Sequence, residues 1–384
     1  MRSIFKPDEI SALFKLKFGK KSFLYDIKND SPEYDCNLHY CFSTLDKVSR
    51  SFAAVIRQLP DDLSANVCLF YLILRALDSI EDDMKLPKEK KVKLLREFYT
   101  KNYQKGWKIH GVGDKEEYRE LLADYDKVIG AFSGLDPVYQ EIITEACRKM
   151  GNGMADFVEK DITTLDDYNL YCHHVAGLVG IGLSKIFAAS GKEKDELKSL
   201  DQLSNSMGLF LQKTNIVRDY REDMEEGRTF WPKEIWSQYA GTLGDFASKP
   251  QSGTSVSCLN HMINDALMHA TDCLEYLKRL KNEKIFRFCA IPQVMAMATL
   301  AEIYNNYKVY TKNVKIRKGF AAKLILSTNT IEDVLKGYNE MIMLIVQNIP
   351  DDKEVSSATT EIIAKIKAYC DAESLAFSET AEAV

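Results

Sequence analysis

Asp78, Glu81 and Asp82 fall at i, i+3 and i+4 within Phe70–Asp83, so a helix through this stretch stacks three carboxylates on one face. Tyr71 and Arg75 extend the same stripe towards the N-terminus, among residues that are otherwise apolar. Like charges gathered this way repel unless a cation neutralises them. Oxygen donors suit Mg²⁺, which takes one or two carboxylates and completes its shell with water and substrate phosphate. A lone acidic triplet is more simply a solvated helix end, but a second polar stripe follows. Gln212, Asn215, Asp219 and Asp223 recur at helical spacing, flanked by Leu209, Leu211, Ile216 and Val217. Polar groups among apolar flanks need partners. Two acidic helices facing each other across a bundle would hold several Mg²⁺ ions and, through them, a diphosphate.

Other residues could join such chemistry, each with a plainer alternative. Arg50, between Ser49 and Ser51, offers a guanidinium and two hydroxyls to phosphate oxygens, or is a surface arginine. Tyr171 shares a helical face with Val175 and Leu178, so its hydroxyl heads an apolar wall or is satisfied in the core. Gly177, Gly180 and Gly182 lack both the strand and the G-x-G-x-x-G spacing of a dinucleotide fingerprint. They read as small residues that bring helices together or bend one. His173 and His174 read as structural. Lys312, Lys315, Arg317 and Lys318 make a basic loop, either solvated or gripping the phosphates of a dinucleotide. Phe286 and Phe288 precede Pro292 at an apolar helix start, and line a hydrophobic cavity or pack the core.

The elements that must position these residues are helices. Nine prolines and nineteen glycines in 384 residues, 46% of them hydrophobic, go with long helix-periodic segments and few strand signals. The pattern predicts an all-α protein with a large core. Helices are expected after Pro60, then over Lys88–Asn102, Lys115–Phe132, Pro137–Lys160, Asp166–Gly191 and Lys194–Glu225. Further helices are expected after Pro232 and over Ser257–Lys281, Pro292–Tyr310 and Thr330–Gln347, with one loose helix beyond Pro350. A net charge of −5 argues against nucleic-acid binding. The nine cysteines are odd in number, lack a CxxC pair and mostly sit in apolar runs, as reduced core thiols of a cytosol-facing protein do. No histidine lies near paired cysteines at zinc spacing. Met1–Lys21 has no secretory signal pattern. No stretch reaches the roughly 18 apolar residues of a membrane span.

At several blocks the chain resembles the eukaryotic squalene synthases. Leu74–Met84 resembles their first acidic motif, and Tyr171–Gly182, Gln212–Asp223, Phe230-Trp231-Pro232 and Phe288–Ala296 match in the same order. The resemblance runs from about Ser31 to Gln347. It implies an all-α, single-domain class I isoprenoid synthase fold with a large central cavity. Residues 31–350 would form the catalytic domain, 1–30 a lead-in and 351–384 a tail. The activity implied begins with head-to-head condensation of two farnesyl diphosphates to presqualene diphosphate. NADPH-dependent reductive rearrangement to squalene follows, as the first committed step of sterol biosynthesis.

The resemblance also implies roles. Asp78, Glu81, Asp82, Asp219 and Asp223 would hold Mg²⁺ and the diphosphates, with Ser49, Arg50, Ser51, Arg75, Gln212 and Asn215 binding substrate. Arg50 and Arg75 match residues that touch diphosphate or NADPH phosphates, and Arg218, Lys315 and Arg317 match NADPH contacts. Tyr171 matches the tyrosine that removes a proton as the cyclopropane forms, with Tyr71 as a helper. Phe52, Phe286 and Phe288 match aromatics that shield carbocations. The family is held on the endoplasmic reticulum membrane by a hydrophobic anchor, with its catalytic domain facing the cytosol. No such anchor occurs in these 384 residues, so the chain reads as a soluble truncation, expected to be monomeric. Three alternatives stand beside this reading. A dehydrosqualene or phytoene synthase would lack the reduction, against which Lys315 and Arg317 count. A chain-elongating prenyltransferase would carry D-D-x-x-D motifs, and a helical scaffold would be catalytically inactive.

Overall fold

The helix after Pro60 forms as Asp61–Asp82. Asp61 and Asp62 place negative charge in its first turn, where the helix dipole favours it. From Leu63 to Asp83 every residue is buried except Tyr71, Arg75, Asp78, Glu81 and Asp82. Burial on all other sides means that only this stripe is left open to solvent or ligand. The structure is a computed structural model that describes Glu9, residues 32–350 and residues 353–382. The side chains of residues 32–35, 50, 51, 353, 354 and 377–382 fall outside the description. Apart from Glu9, Met1–Lys21 also lies outside the described residues. The regular elements among the described residues are all helices, with no strand.

The chain packs as two units. One draws on Ser22–Asp161 and Gly177–Asp201. In it the Asp61–Asp82 helix packs against Pro137–Phe157, and Leu178–Ala189 packs against both. Close approach sets this packing: a Cβ on Gly182 would lie 2.6 Å from the Phe70 ring, and one on Gly151 2.3 Å from the Leu95 carbonyl oxygen. Gly182 thus acts as the small residue its spacing suggested.

The other unit draws on Ile162–Ala176 and Gln202–Val384, with Glu9. Its Leu165–Cys172 helix is opened by a capping box between Thr164 and Asp167. Helices Asp201–Arg218, Tyr220–Glu225, Gly253–Leu267, Ala270–Arg279 and Glu283–Ile303 follow. Tyr220, Trp231, Phe246 and Tyr310 form a buried aromatic cluster beside the second acidic motif.

Several boundaries differ from those expected. Lys115–Phe132 is two helices, Glu116–Ala123 and Tyr125–Ser133, broken at Asp124. Lys194–Glu225 is a 3₁₀ turn, Asp195–Ser199, and two α-helices that break at Asp219 (φ −95°, ψ 12°). The Ser257–Lys281 segment begins earlier, because Ser252 accepts from Ser255 N, and it breaks at Met268–His269. Pro292 does not open a helix; it lies inside Glu283–Ile303, which Asn282 caps by accepting from Lys284 N and Ile285 N. Proline removes one helical hydrogen bond, and burial of most of the helix outweighs that cost. Lys318–Ser327 is a helix where only a loop was expected, and it has no side-chain cap to announce it.

The C-terminal Lys353–Glu382 helix is not loose. Ile363, Ile366 and Cys370 are buried, and the Tyr369 hydroxyl donates to Glu275 Oε2 at 2.8 Å. The expectation that no segment could span a membrane also needs correction. Asp61–Asp82, Leu165–Ala189 and Glu283–Ile303 are long and apolar enough by length and composition. A demand for uninterrupted apolar residues hid them. Their most apolar windows are 83%, 50% and 78% buried within the protein, which accounts for much of that apolarity.

Candidate active site

The first acidic stripe begins with aromatics. Tyr71 packs against Phe52 with ring centroids 5.5 Å apart, and the Arg75 guanidinium lies over the Tyr71 and Tyr118 rings at 5.9 and 5.4 Å. Arg75 Nη1 is 3.5 Å from Asp78 Oδ2. Burial raises the Asp78 carboxyl to about 7, against the pull of Arg75 and with the push of Asp82. Glu81 and Asp82 are half-buried on the same face.

Two residues of this site were not singled out from the sequence. Asp83 ends the acidic run but serves structure: its carboxylate accepts from Lys85 N and Gly113 N, both at 2.9 Å. Lys91, also buried, donates to the Glu81 carbonyl at 2.6 Å. There it caps the helix C-terminus and sets a positive charge among Glu81, Asp82 and Asp83. Burial lowers its pKa, opposed by those acids. The spacing of Lys91 from the motif carried no signal, because a turn and a second helix start intervene.

Ser49 is half-buried and caps the Arg50–Ile56 helix, accepting from Phe52 N at 3.4 Å. The side chains of Arg50 and Ser51 lie outside the described residues. Phe52 is 37% exposed, so its ring is accessible rather than buried in the core.

The second stripe belongs to the other unit. Gln212 is half-buried and Asn215 exposed on the Asp201–Arg218 helix, while the residues around them are mostly buried. Asp219 occupies the break before Tyr220–Glu225, yet its N–H donates to the Asn215 carbonyl at 2.8 Å and its own carbonyl accepts from Asp223 N at 3.0 Å, so Asn215, Asp219 and Asp223 still follow one another turn by turn. Arg218 grips Asp219 in a two-pronged ion pair. Arg228, which the sequence pattern did not single out, donates to Asp223 Oδ1 at 3.0 Å and pairs with Glu226 at 2.7 Å. Burial raises Asp223 to about 7, offset by Arg228 and reinforced by Asp219 and Glu226. The signal for Arg228 was the turn at Gly227, whose positive φ of 73° returns the chain to Asp223.

Tyr171 is buried and stacks on Phe230 with centroids 5.2 Å apart. The helix does not continue in α register: His173–Gly177 is a π turn. Its extra residue rotates the next turns of helix, so Tyr171, Val175 and Leu178 do not share the simple face expected for them. His173 Nδ1 lies 2.7 Å from Asn205 Oδ1.

Phe286 and Phe288 are buried in the first two turns of the Glu283–Ile303 helix, close to its start as the sequence suggested. Lys315 and Arg317 are exposed, and Arg317 Nη2 pairs with the buried carboxylate of Glu9 at 2.6 Å. Among the described residues no three His, Cys, Asp or Glu side chains gather as a ready-made metal cage. The oxygen-only donors of both stripes, two of them held near neutrality by burial, instead suit an ion that brings phosphate and water ligands with it.

An all-α fold with acidic helix faces, arginine-paired carboxylates and a buried stacked tyrosine is the arrangement expected of an isoprenoid synthase. The Squalene/phytoene synthase family model matches residues 45–319. The chain is 45% identical to the Homo sapiens squalene synthase over 361 residues, 94% of this chain and 86% of that protein. It is 47% identical to squalene synthase ERG9 of Candida albicans over 349 residues, 88% of this chain and 77% of that protein. The solved complex of TcSQS with the ligand BPH1237 is 39% identical with a TM-score of 0.86, covering 88% of this chain and 99% of that one. The chain therefore belongs to the squalene synthase family. It is an enzyme of that family, and its substrate is a prenyl diphosphate.

Proposed function

We propose that this enzyme converts two molecules of farnesyl diphosphate to squalene in two steps: a Mg²⁺-dependent condensation to presqualene diphosphate, then an NADPH-dependent reductive rearrangement. The observation that carries the reading is the one open face of an otherwise buried helix, where Tyr71, Arg75, Asp78, Glu81 and Asp82 all lie. A carboxylate raised to about 7 by partial or full burial is stabilised in its charged form by a divalent cation, which argues for metal at the half-buried Asp78 and the buried Asp223. Glu81, Asp82 and Asp219 complete the oxygen donors. Bound Mg²⁺ withdraws charge from the leaving diphosphate.

The chain's own residues would do the rest. Ser49, Arg50, Ser51, Arg75, Gln212 and Asn215 hold diphosphate oxygens by charged and polar hydrogen bonds. Tyr171, kept dry by Phe230, takes the proton lost as the cyclopropane forms, with Tyr71 assisting. Phe52, Phe286 and Phe288 offer ring faces that stabilise cations without attacking them. Arg50, Arg75, Arg218, Lys315 and Arg317 hold the phosphates of NADPH, which supplies the hydride. Residues 31–350 form the catalytic domain of a monomer. An endoplasmic reticulum location with this domain facing the cytosol is supported by the eukaryotic relatives and by free cysteines that are mostly buried.

The test is product analysis of farnesyl diphosphate incubated with enzyme and Mg²⁺, with and without NADPH. Squalene with NADPH and presqualene diphosphate without it is the expected outcome. Dehydrosqualene under both conditions would instead assign the non-reducing reaction, and no turnover would leave a scaffold.

A further inference from the structure

Lys213 lies between Gln212 and Thr214 on the second acidic helix, yet its side chain is only 1% exposed. Its Nζ is 2.7 Å from Asp265 Oδ2 on the Gly253–Leu267 helix. The same ammonium lies 5.3 Å from the centroid of the fully buried Tyr168 ring. Tyr168 sits one turn before Tyr171 on Leu165–Cys172. A single buried cation therefore touches three helices: its own, that of Asp265 and that of Tyr171. On the other side of Tyr171, His173 Nδ1 meets Asn205 Oδ1 at 2.7 Å, a second tie to the Asp201–Arg218 helix.

Burying an ion pair removes both charges from water, and an apolar pair of similar volume would hold the helices together at least as well. What an apolar pair lacks is a charge held at one place. The ammonium is paired with one carboxylate as an ion pair, without hydrogen-bond geometry, and lies over one ring, and these two attractions restrain the rotation and axial register of its helix. That register sets where Gln212, Asn215 and Asp219 stand relative to Tyr171.

We propose that Lys213, clamped by Asp265, is a positioning residue for the first half-reaction, aligning Tyr171 with the diphosphate-binding stripe of its own helix. This rests on the roles given to Tyr171 and Asp219 above. Lys213 itself touches no substrate, and its effect passes through the two helices it joins.

The double variant Lys213→Met/Asp265→Leu replaces the pair by apolar side chains, and presqualene diphosphate formation without NADPH is its readout. Expected is a melting temperature near that of the parent, a KM for farnesyl diphosphate within about threefold, and a kcat lower by about tenfold to a hundredfold, as small misplacements cause. Recovery of both melting temperature and kcat would reduce the pair to a structural one and overturn the proposal. Should the double variant fail to fold, Tyr168 provides the second test. Its hydroxyl has no hydrogen-bond partner, so Tyr168→Phe should keep kcat, while Tyr168→Leu, which removes the ring under the cation, should lower kcat about tenfold. Equal kcat in the two Tyr168 variants would equally overturn it. Tyr171→Phe separates the two readings: if it keeps parental presqualene diphosphate formation, the role of Tyr171 fails whatever Lys213 does.

Discussion

Arg75 stands one turn before Asp78, with Nη1 3.5 Å from Oδ2, yet the Asp78 carboxyl is still raised to about 7. Burial outweighs the arginine, and Asp82 adds to it. Asp223 repeats the arrangement, with Arg228 at 3.0 Å and a carboxyl also near 7. Each site thus holds an arginine-paired acid that still lacks enough positive charge to ionise freely, which is the condition a divalent cation relieves.

A pH dependence follows from the sign of these shifts. Without metal, the folded carboxyls keep their protons up to about 7, whereas unfolded aspartates release theirs from 3.8. Stability from these two groups is therefore fully present below the unfolded value and is lost as pH rises towards 7, with no further loss above. Metal binds the ionised form, so the half-saturating Mg²⁺ concentration for presqualene diphosphate formation should fall between pH 6 and 7, by up to about tenfold per proton displaced, and level off above. A flat profile would take both carboxyls out of the metal site.

Removing the carboxylates tests the same donors directly. Asp78→Ala and Asp219→Ala should each abolish the condensation, with at least about a hundredfold loss in kcat, because charge on the leaving diphosphate is no longer matched. Circular dichroism should show an intact helical fold, since both side chains sit on open faces. Presqualene diphosphate at near-parental rates from either variant would contradict the metal assignment.

Much of this site was legible because helical spacing places residues on faces without knowledge of the partners. The stripe from Tyr71 to Asp82 was visible for that reason, and the density of apolar residues around it foretold that the other sides would be buried. Arg228 and Lys91 were not, since each reaches its acid across a turn that spacing does not encode. The breaks at Asp124 and Asp219 were hidden for a related reason: no glycine or proline marks them, and tertiary packing decides them. The π turn at His173–Gly177 is different, because it ends on Gly177, one of the glycines whose spacing suggested a bend. Pro292 misled in the opposite direction, because a strong local breaker lost to burial of the helix around it.

The basic loop yields a prediction that separates the half-reactions. Lys315 is exposed, and Arg317 is engaged by the Glu9 carboxylate at 2.6 Å, an anion bound where the proposed function places a phosphate. Lys315→Ala with Arg317→Ala should raise the KM for NADPH about tenfold to a hundredfold, at roughly 1.5–3 kcal/mol for a hydrogen bond to a charged group, and spare presqualene diphosphate formation. Glu9→Gln should lower that KM by freeing the guanidinium. An NADPH KM unmoved in the double variant would place the cofactor elsewhere.

Gly182 offers a test of packing that leaves the chemistry untouched. A Cβ there would come within 2.6 Å of the Phe70 ring tip and 3.3 Å of its neighbouring ring carbon, and Phe70 is fully buried, so the ring must shift against its core neighbours. Gly182→Ala gains helix propensity, but the forced displacement should outweigh it for a net loss of about 1–3 kcal/mol. Phe70→Leu in the same chain removes the obstructing ring atoms and should return part of that loss, a coupling that the two single variants cannot produce separately. Denaturant titration of the four proteins measures it. Strict additivity would mean that the helices of Phe70 and Gly182 adjust by moving apart, and that the contact does not fix their separation.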